Sequence, residues 1–412
     1  MNGERVLGIN GLGRIGKLSV WHHVARRHFT RLVVNLGREA GRDLEAVCGV
    51  IENDSTYGPV HRFLHGVSAP PCVRILDREA RVIDVDGTPV TVLQAARDPR
   101  EIAWREHGVQ VVVDTTGAFN DPARPVDASG GSLRGHLWAG ARAVIHSAAF
   151  ASRDGTAVPE DAVTLIYGIN HEAFDPERHS LVSAASCTTT ALAHMVKPLI
   201  DRLGAERIMT ASMSTVHALT NSQAVLDSVP KAGARDLRRT RSALHSIILT
   251  STNAAKALEQ VIPEIGEIGF MADSVRVPIP TESLIILNVT FQDAADGRID
   301  GDLLNRVYAE AAGNGGHGLV VYSERQNVPK DVLGMRAAVV IESVETHTRT
   351  GFAGVDLADL PGVPQEVVAR MESSVVEVPV THAKVFGWYD NEYGSYTNML
   401  GDLTVHVDDQ LV

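Results

Sequence analysis

Short apolar runs alternate with helix-length stretches through the first half of the chain. Val6-Leu7-Gly8-Ile9-Asn10 reads as a buried strand, and a helix is expected from residue 14 to about 26. Residues 32–36, 111–113 and 143–147 are further apolar runs of strand length. Unbroken apolar strands between helices argue for a parallel sheet covered on both faces. The second half has a different texture. Residues 208–216 partly alternate apolar with polar, and residues 284–290 and 337–341 are rich in β-formers. A larger mixed sheet with one helix-covered face is predicted there. Two stretches have loop composition. One is 121–135; the other is 349–380, with prolines and glycines around a short helix expected at 364–371.

The turn after the first strand carries candidate chemistry. Gly11-Leu12-Gly13-Arg14-Ile15-Gly16 is a G-x-G-x-x-G that follows a strand and opens a helix. There Gly11 permits a tight turn, Gly13 lets backbone approach a pyrophosphate, and Gly16 lets helix pack on strand. The helix N-terminus then offers free N–H groups to the phosphates. An acidic residue is expected about 20 positions on, to bind the adenosine ribose. The chain has Asn35-Leu36-Gly37-Arg38 instead.

Composition narrows the classes. The 412 residues suggest two or three domains, and 44% hydrophobic with 21% charged residues is ordinary for a globular chain. Lys plus Arg number 38 and Asp plus Glu 50, a net charge of −12, which disfavours a nucleic-acid partner. No uninterrupted apolar run is long enough for a membrane span, and no secretory leader is read, so the cytoplasm is the expected location. Cys48, Cys72 and Cys187 are too scattered for a zinc site, and no metal is expected.

Cys187 sits in Ser186-Cys187-Thr188-Thr189-Thr190, ahead of a helical pattern of Leu192, Met195, Val196, Leu199 and Ile200. A thiol at a helix N-terminus is more readily ionised. Pro198 should kink or shorten that helix. A single cysteine also reads as a small core hydrophobe. His217 ends a strand-like run and could serve as a general base for a thiolate, or be one structural histidine among 17.

These stretches, taken together, resemble phosphorylating glyceraldehyde-3-phosphate dehydrogenase. The likeness runs through residues 6–16, Asp54-Ser55-Thr56-Tyr57-Gly58, Ser186 to Thr189, 215–223, 236–241, Thr252 with Ala254-Ala255-Lys256, Arg276-Val277-Pro278, and Trp388-Tyr389-Asp390-Asn391-Glu392. It implies a Rossmann dinucleotide-binding domain over 1–185, completed by a C-terminal helix at 391–412. An α+β catalytic domain with a mixed sheet would occupy 186–390. Cys187 would be the nucleophile and His217 its activating partner. NAD or NADP would be bound by Gly11, Gly13, Arg14, Ile15, Gly16, Asn35, Thr116, Ser147 and Asn391. Ser186, Thr188, Thr220, Thr252, Asn253 and Arg276 would face the substrate phosphate and inorganic phosphate.

The family is usually a homotetramer, with residues from about 227 to 241 reaching a neighbour's cofactor. Several positions depart from the family pattern: Leu36, Thr190, Leu219, Ser222, Leu249, Asn253 and Thr281-Glu282. The expected substrate is glyceraldehyde 3-phosphate. Erythrose 4-phosphate, or a cofactor-binding regulatory paralogue with little turnover, are the alternatives. Leu36 with Arg38 favours NADP, Val229-Pro230 resembles a feature of NAD-dependent members, and Glu39 is a possible substitute carboxylate.

Overall fold

Val6–Asn10 is buried at every position and forms β1, the strand around which the first unit is built. The computed structural model describes residues 4–38, 43–94, 96–152, 157–221, 223–230, 232–234, 236–293, 297–313 and 318–411. Glu39 and Ser222 lie outside them. The chain divides into two compact units. One comprises Met1–Thr190, Leu333–Ala338 and Asp390–Val412, and the other Ala191–Val332 and Val339–Tyr389.

The first unit holds a nine-stranded sheet. Its strands are β1, β2 (Arg31–Asn35), β3 (Val73–Asp77), β4 (Val82–Val85), β5 (Thr88–Leu93), β6 (Val111–Asp114), β7 (Ala143–His146), β8 (Ala162–Thr164) and β9 (Leu181–Ser183). They lie in the order β8-β9-β7-β6-β1-β2-β5-β4-β3. All pairings are parallel except those of β4 with β3 and β5, which form an antiparallel edge. The strand order reverses between β1 and β6, the switch point where doubly wound sheets bind ligands. Helix α1 (Arg14–Arg26) follows β1, and α2 (Leu44–Glu52) follows β2. One apolar layer joins Val20 and Val24 of α1 and Val47 and Ile51 of α2 to Leu7, Ile9 and Val34, and also to Leu400, Leu403 and Val407. The last three lie on the C-terminal helix Asn398–Leu411. The opposite face is covered by Trp104, Phe119 and Leu133.

The second unit has an eight-stranded mixed sheet. It is built from β10 (Ile208–His217), β11 (Ile248–Thr250), β12 (Gly269–Arg276), β13 (Ser283–Gln292), β14 (Val320–Ser323), β15 (Val339–Glu342), β16 (His347–Asp356) and β17 (Val375–Tyr389). The order is β11-β12-β10-β13-β17-β15-β14, with β16 paired to β17. Ile285, Leu287, Val289 and Phe291 are buried and alternate with half-buried neighbours, as expected of a sheet with one packed face. Met195, on helix α3 (Cys187–Leu203), packs so close to Gly387 that a Cβ there would stand 2.6 Å from its sulfur.

Two expectations are corrected. Pro198 does not shorten its helix, which runs on to Leu203. Leu192, Met195, Val196 and Leu199 are buried, and that packing outweighs one lost backbone bond. Residues 349–380 are not a loop. Ten residues of β16 pair antiparallel with β17, from His347 opposite Lys384 to Asp356 opposite Val375. Gly351, Gly354 and Pro379 masked this strand pattern. The short helix within the connection is Gln365–Val368.

Candidate functional site

The glycine turn has the geometry that a dinucleotide phosphate needs. Gly11 has φ +99°, a conformation that strains L side chains, and donates its N–H to Asn35 O at 2.8 Å. A Cβ on Gly16 would stand 2.1 Å from Gly11 O, whereas one on Gly13 would meet nothing within 4 Å. Gly13 caps α1 without a side-chain bond, and no acid lies in the first turn. The helix N-terminus therefore keeps its positive end unneutralised by its own sequence. These features fit a pyrophosphate. Beside them a cavity of about 200 Å³ is lined by Leu12, Gly13, Leu36, Arg38, Val47 and Val50. Among the described residues no carboxylate lines it, and Leu36 stands where an acid ordinarily binds the ribose hydroxyls.

The Arg14 side chain is held by two acids. Its Nε lies 3.1 Å from both carboxylate oxygens of Glu392, its Nη2 also meets Glu392, and its Nη1 meets Asp54. Lys17 Nζ lies 2.6 Å from Asp54. Burial pushes the Asp54 carboxyl up, but the bonds from Lys17 and from the Tyr57 and Thr56 backbone hold it at about 2. Glu392 is pushed above its ordinary value, because burial outweighs Arg14. The next turn is equally fixed. Asp390 accepts from Tyr57 Oη at 2.6 Å and from the N–H groups of Gly334, Glu392 and Gly394. Asn391 is buried between these two anchored acids.

Thr116 lies two residues past the end of β6, where its Oγ1 donates to Asp114 at 2.8 Å. Ser147 follows β7 and donates its N–H to Asp114 O. Asn35 is buried and bonds Asn10 Oδ1 and Ala96 O.

Cys187 is the first residue of α3 and is half-buried. Ala185, two residues earlier, has φ +53°. Ser186 caps the helix, its Oγ accepting from Thr189 N at 3.2 Å and bonding Thr189 Oγ1 at 2.8 Å. Thr188 is buried. The sharp turn and the cap put Cys187 at the positive end of a long helix.

The remaining candidates belong to the second unit. His217 ends β10 and faces Arg276, the last residue of β12, in parallel register. Its Nδ1 lies 2.7 Å from Ala218 O and 2.6 Å from Arg276 Nη1. Burial, then the Arg276 charge, pushes the imidazole down to about 3, against the pull of the Ala218 carbonyl. It is thus neutral at physiological pH, the form a general base requires. The N–H and hydroxyl of Thr220 both donate to Gln223 Oε1, at 2.9 and 2.8 Å. Thr252 Oγ1 accepts from Ala254 N at the start of the helix Ala254–Val261. Asn253 occupies the cap position of that helix without a side-chain cap bond.

The anchoring roles of Asp54, Asp114 and Glu392 were not read from the sequence. An acid closing an apolar strand, as Asp114 does, was the available signal for one of them. Among the described residues, no helix is long and apolar enough to cross a membrane.

Known proteins match along nearly the whole chain. Residues 5–122 match the family model for the glyceraldehyde 3-phosphate dehydrogenase NAD binding domain, and residues 186–391 match that for the C-terminal domain. Glyceraldehyde-3-phosphate dehydrogenase 1 of Streptomyces avermitilis is 35% identical over 406 residues, covering 98% of this chain and 99% of the relative. The Streptomyces coelicolor enzyme is 33% identical over 407 residues, with the same coverage. Glyceraldehyde-3-phosphate dehydrogenase 2 of Bacillus subtilis is 31% identical over 402 residues, covering 97% and 96%.

Proposed function

Because the chain belongs to the glyceraldehyde-3-phosphate dehydrogenase family, we propose that it oxidises glyceraldehyde 3-phosphate to 1,3-bisphosphoglycerate, using inorganic phosphate and NAD or NADP. The nicotinamide, when bound, supplies the hydride acceptor. Cys187 adds to the aldehyde carbon and forms a thiohemiacetal. His217 takes the hydroxyl proton as the C–H bond breaks, leaving a thioester on Cys187. Inorganic phosphate displaces the thiolate, releasing the acyl phosphate and regenerating the nucleophile. Asn391 orients the nicotinamide. Ser186, Thr188, Thr220, Thr252 and Arg276 hold phosphate groups, with Arg276 providing the charge-assisted bonds.

The observation that carries this reading is Cys187 at the first residue of α3, behind the Ser186 cap. The test is a panel of phosphorylated aldehydes assayed with and without inorganic phosphate. Acyl phosphate formation from glyceraldehyde 3-phosphate, dependent on phosphate, is expected. Erythrose 4-phosphate belongs in the panel because Asn253 and Thr281-Glu282 depart from the family pattern. A higher kcat/KM for erythrose 4-phosphate would overturn the substrate assignment.

Leu36 and Arg38 in the cavity beside the glycine turn, lined by no carboxylate among the described residues, support use of both cofactors. We expect neither to be preferred by more than about 100-fold, or about 2.7 kcal/mol. A cytoplasmic homotetramer completes the reading, to be tested by sizing and sedimentation.

A further inference from the structure

The sheet of the first unit carries a row of polar residues across adjacent strand ends. In register, His146 of β7 lies opposite Asp114 of β6, Asp114 opposite Asn10 of β1, and Asn10 opposite Asn35 of β2. All four are buried. The row runs along the carboxyl ends of the strands, through the switch point beneath the glycine turn.

Its bonds have a direction. Asn10 Nδ2 donates to Asp114 Oδ2 at 2.7 Å, so Asn10 Oδ1 is turned the other way and accepts from Asn35 Nδ2 at 2.8 Å. Asn35 Nδ2 also donates to Ala96 O at 3.0 Å, and its Oδ1 faces Gly37 N at 3.4 Å. The other carboxylate oxygen of Asp114 accepts from the N–H and hydroxyl of Thr116, at 3.2 and 2.8 Å. His136 Nε2 lies 3.2 Å from Oδ2, and its Nδ1 accepts from Trp104 Nε1 at 2.9 Å. An indole N–H only donates, so His136 carries its proton on Nε2, towards Asp114. His146 stands 3.6 Å away through Nδ1, with Nε2 at 2.9 Å from Asn120 Oδ1.

An ionised carboxylate only accepts hydrogen bonds. Burial pushes the Asp114 carboxyl up, but His136 and His146 outweigh it and hold the group well below the usual carboxylate range. Asp114 is therefore the fixed end of the chain of amides. Asn35 is held at the other end by backbone, its Nδ2 by Ala96 O and its Oδ1 by Gly37 N, so a donor at position 114 would face Asn10 Nδ2 and break the row there.

We propose that Asp114 is a positioning residue for the dinucleotide, its buried carboxylate holding the Asn10 amide and the Thr116 turn in place. The row ends at Gly37, between Leu36 and Arg38 of the cavity beside the glycine turn, and at Thr116 on the other side of the switch point. The crevice is thereby ordered before the cofactor arrives, which removes an ordering cost from binding. The proposal rests on the reading that this unit binds NAD or NADP.

The test is calorimetric titration of NAD into the full-length chain, with thermal unfolding as the control for folding. Asp114→Asn is nearly isosteric, so the loss it causes reports direction and charge. Its Kd for NAD should rise by at least about tenfold, while kcat at saturating NAD changes by less than about threefold. The exchanged pair Asn10→Asp with Asp114→Asn supplies the rescue. The carboxylate at position 10 would accept from the amide at 114 and from Asn35 and would lie near His136, since Asn10 Nδ2 is 3.5 Å from His136 Nε2. Its Kd should return to within about threefold of wild type.

A folded Asp114→Asn with wild-type affinity overturns the proposal, as does an exchanged pair that binds no better than the single variant. Should the single variant fail to fold, the exchanged pair decides alone. Affinity within about tenfold of wild type then supports the proposal, and weaker binding overturns it. A wild-type chain that binds neither NAD nor NADP would instead remove the dinucleotide reading, and the proposal with it.

Discussion

Cys187 is set apart from the other two thiols by its surroundings. Burial, with Glu52, Asp86 and Asp84 nearby, pushes Cys72 up to about 11, and burial with Glu45 raises Cys48. A thiol-alkylating reagent at neutral pH should therefore label Cys187 first, as peptide mapping would show. Cys187→Ser should lose aldehyde oxidation and keep NAD binding, because a serine hydroxyl is far less ionised. Near wild-type turnover in that variant would exclude covalent catalysis through this residue. Arg276 has two roles to separate. Its charge depresses His217, so Arg276→Ala should raise the imidazole pKa, while burial keeps it below its ordinary value. A raised pKa moves the acid limb of the rate profile to higher pH, and NMR titration of His217 would read the same shift directly. The variant should also raise KM for the phosphorylated aldehyde. At the cofactor end, Leu36→Asp should increase the preference for NAD over NADP, measured as a ratio of kcat/KM values. A wild-type NAD preference above about 1,000-fold, about 4.1 kcal/mol, that this substitution leaves unchanged would exclude relaxed specificity.

Two elements deserve separate tests. The first unit ties α1 to the Asp54 turn and the Asp390–Gly394 turn through Arg14, Lys17 and Asp54. Asp54 has a depressed pKa, so its contribution is complete above about pH 4 and disappears as the pH falls towards 2. The difference from its ordinary 3.8 corresponds to something on the order of 2 kcal/mol. Asp54→Asn should cost about that much at neutral pH and flatten the acid-unfolding curve between pH 4 and 2. An unchanged curve would show that the ion pair contributes little. The β16–β17 ribbon is the second element. Residues 375–379 of β17 pair with β16, while the pairing with β13 begins only at Val380. Phe352 in the ribbon is 69% exposed. Replacing residues 352–379 by a tight turn should leave a folded, active enzyme with unchanged elution on a sizing column. Folded monomers would instead show that the ribbon builds a subunit contact.

For the molecule as a whole, cofactor binding and folding are linked. A ligand that binds only the folded first unit at about 100 times its Kd stabilises that unit by about 2.7 kcal/mol. Thermal unfolding with increasing NAD should show a rising midpoint for the transition that includes the first unit. A midpoint independent of NAD, in a chain that binds NAD by calorimetry, would contradict this linkage.

Much of this was legible in the sequence where the deciding interactions are local. The apolar runs at residues 6–10 and 111–113, the helix from Arg14, and the glycine turn between strand and helix follow from side-chain periodicity and backbone freedom over a few residues. The Ser186–Cys187 helix start is local in the same sense. Tertiary structure decided the rest. Pro198 stays inside a helix because buried neighbours hold it there. Residues 349–380 form a ribbon because β16 finds a partner in β17 despite its glycines. Asp54, Asp114 and Glu392 became anchors only when partners 22 to 378 positions away in sequence were brought to them. Periodicity reports what one segment prefers; whether a buried charge is met by a donor depends on strands and helices that the chain reaches much later.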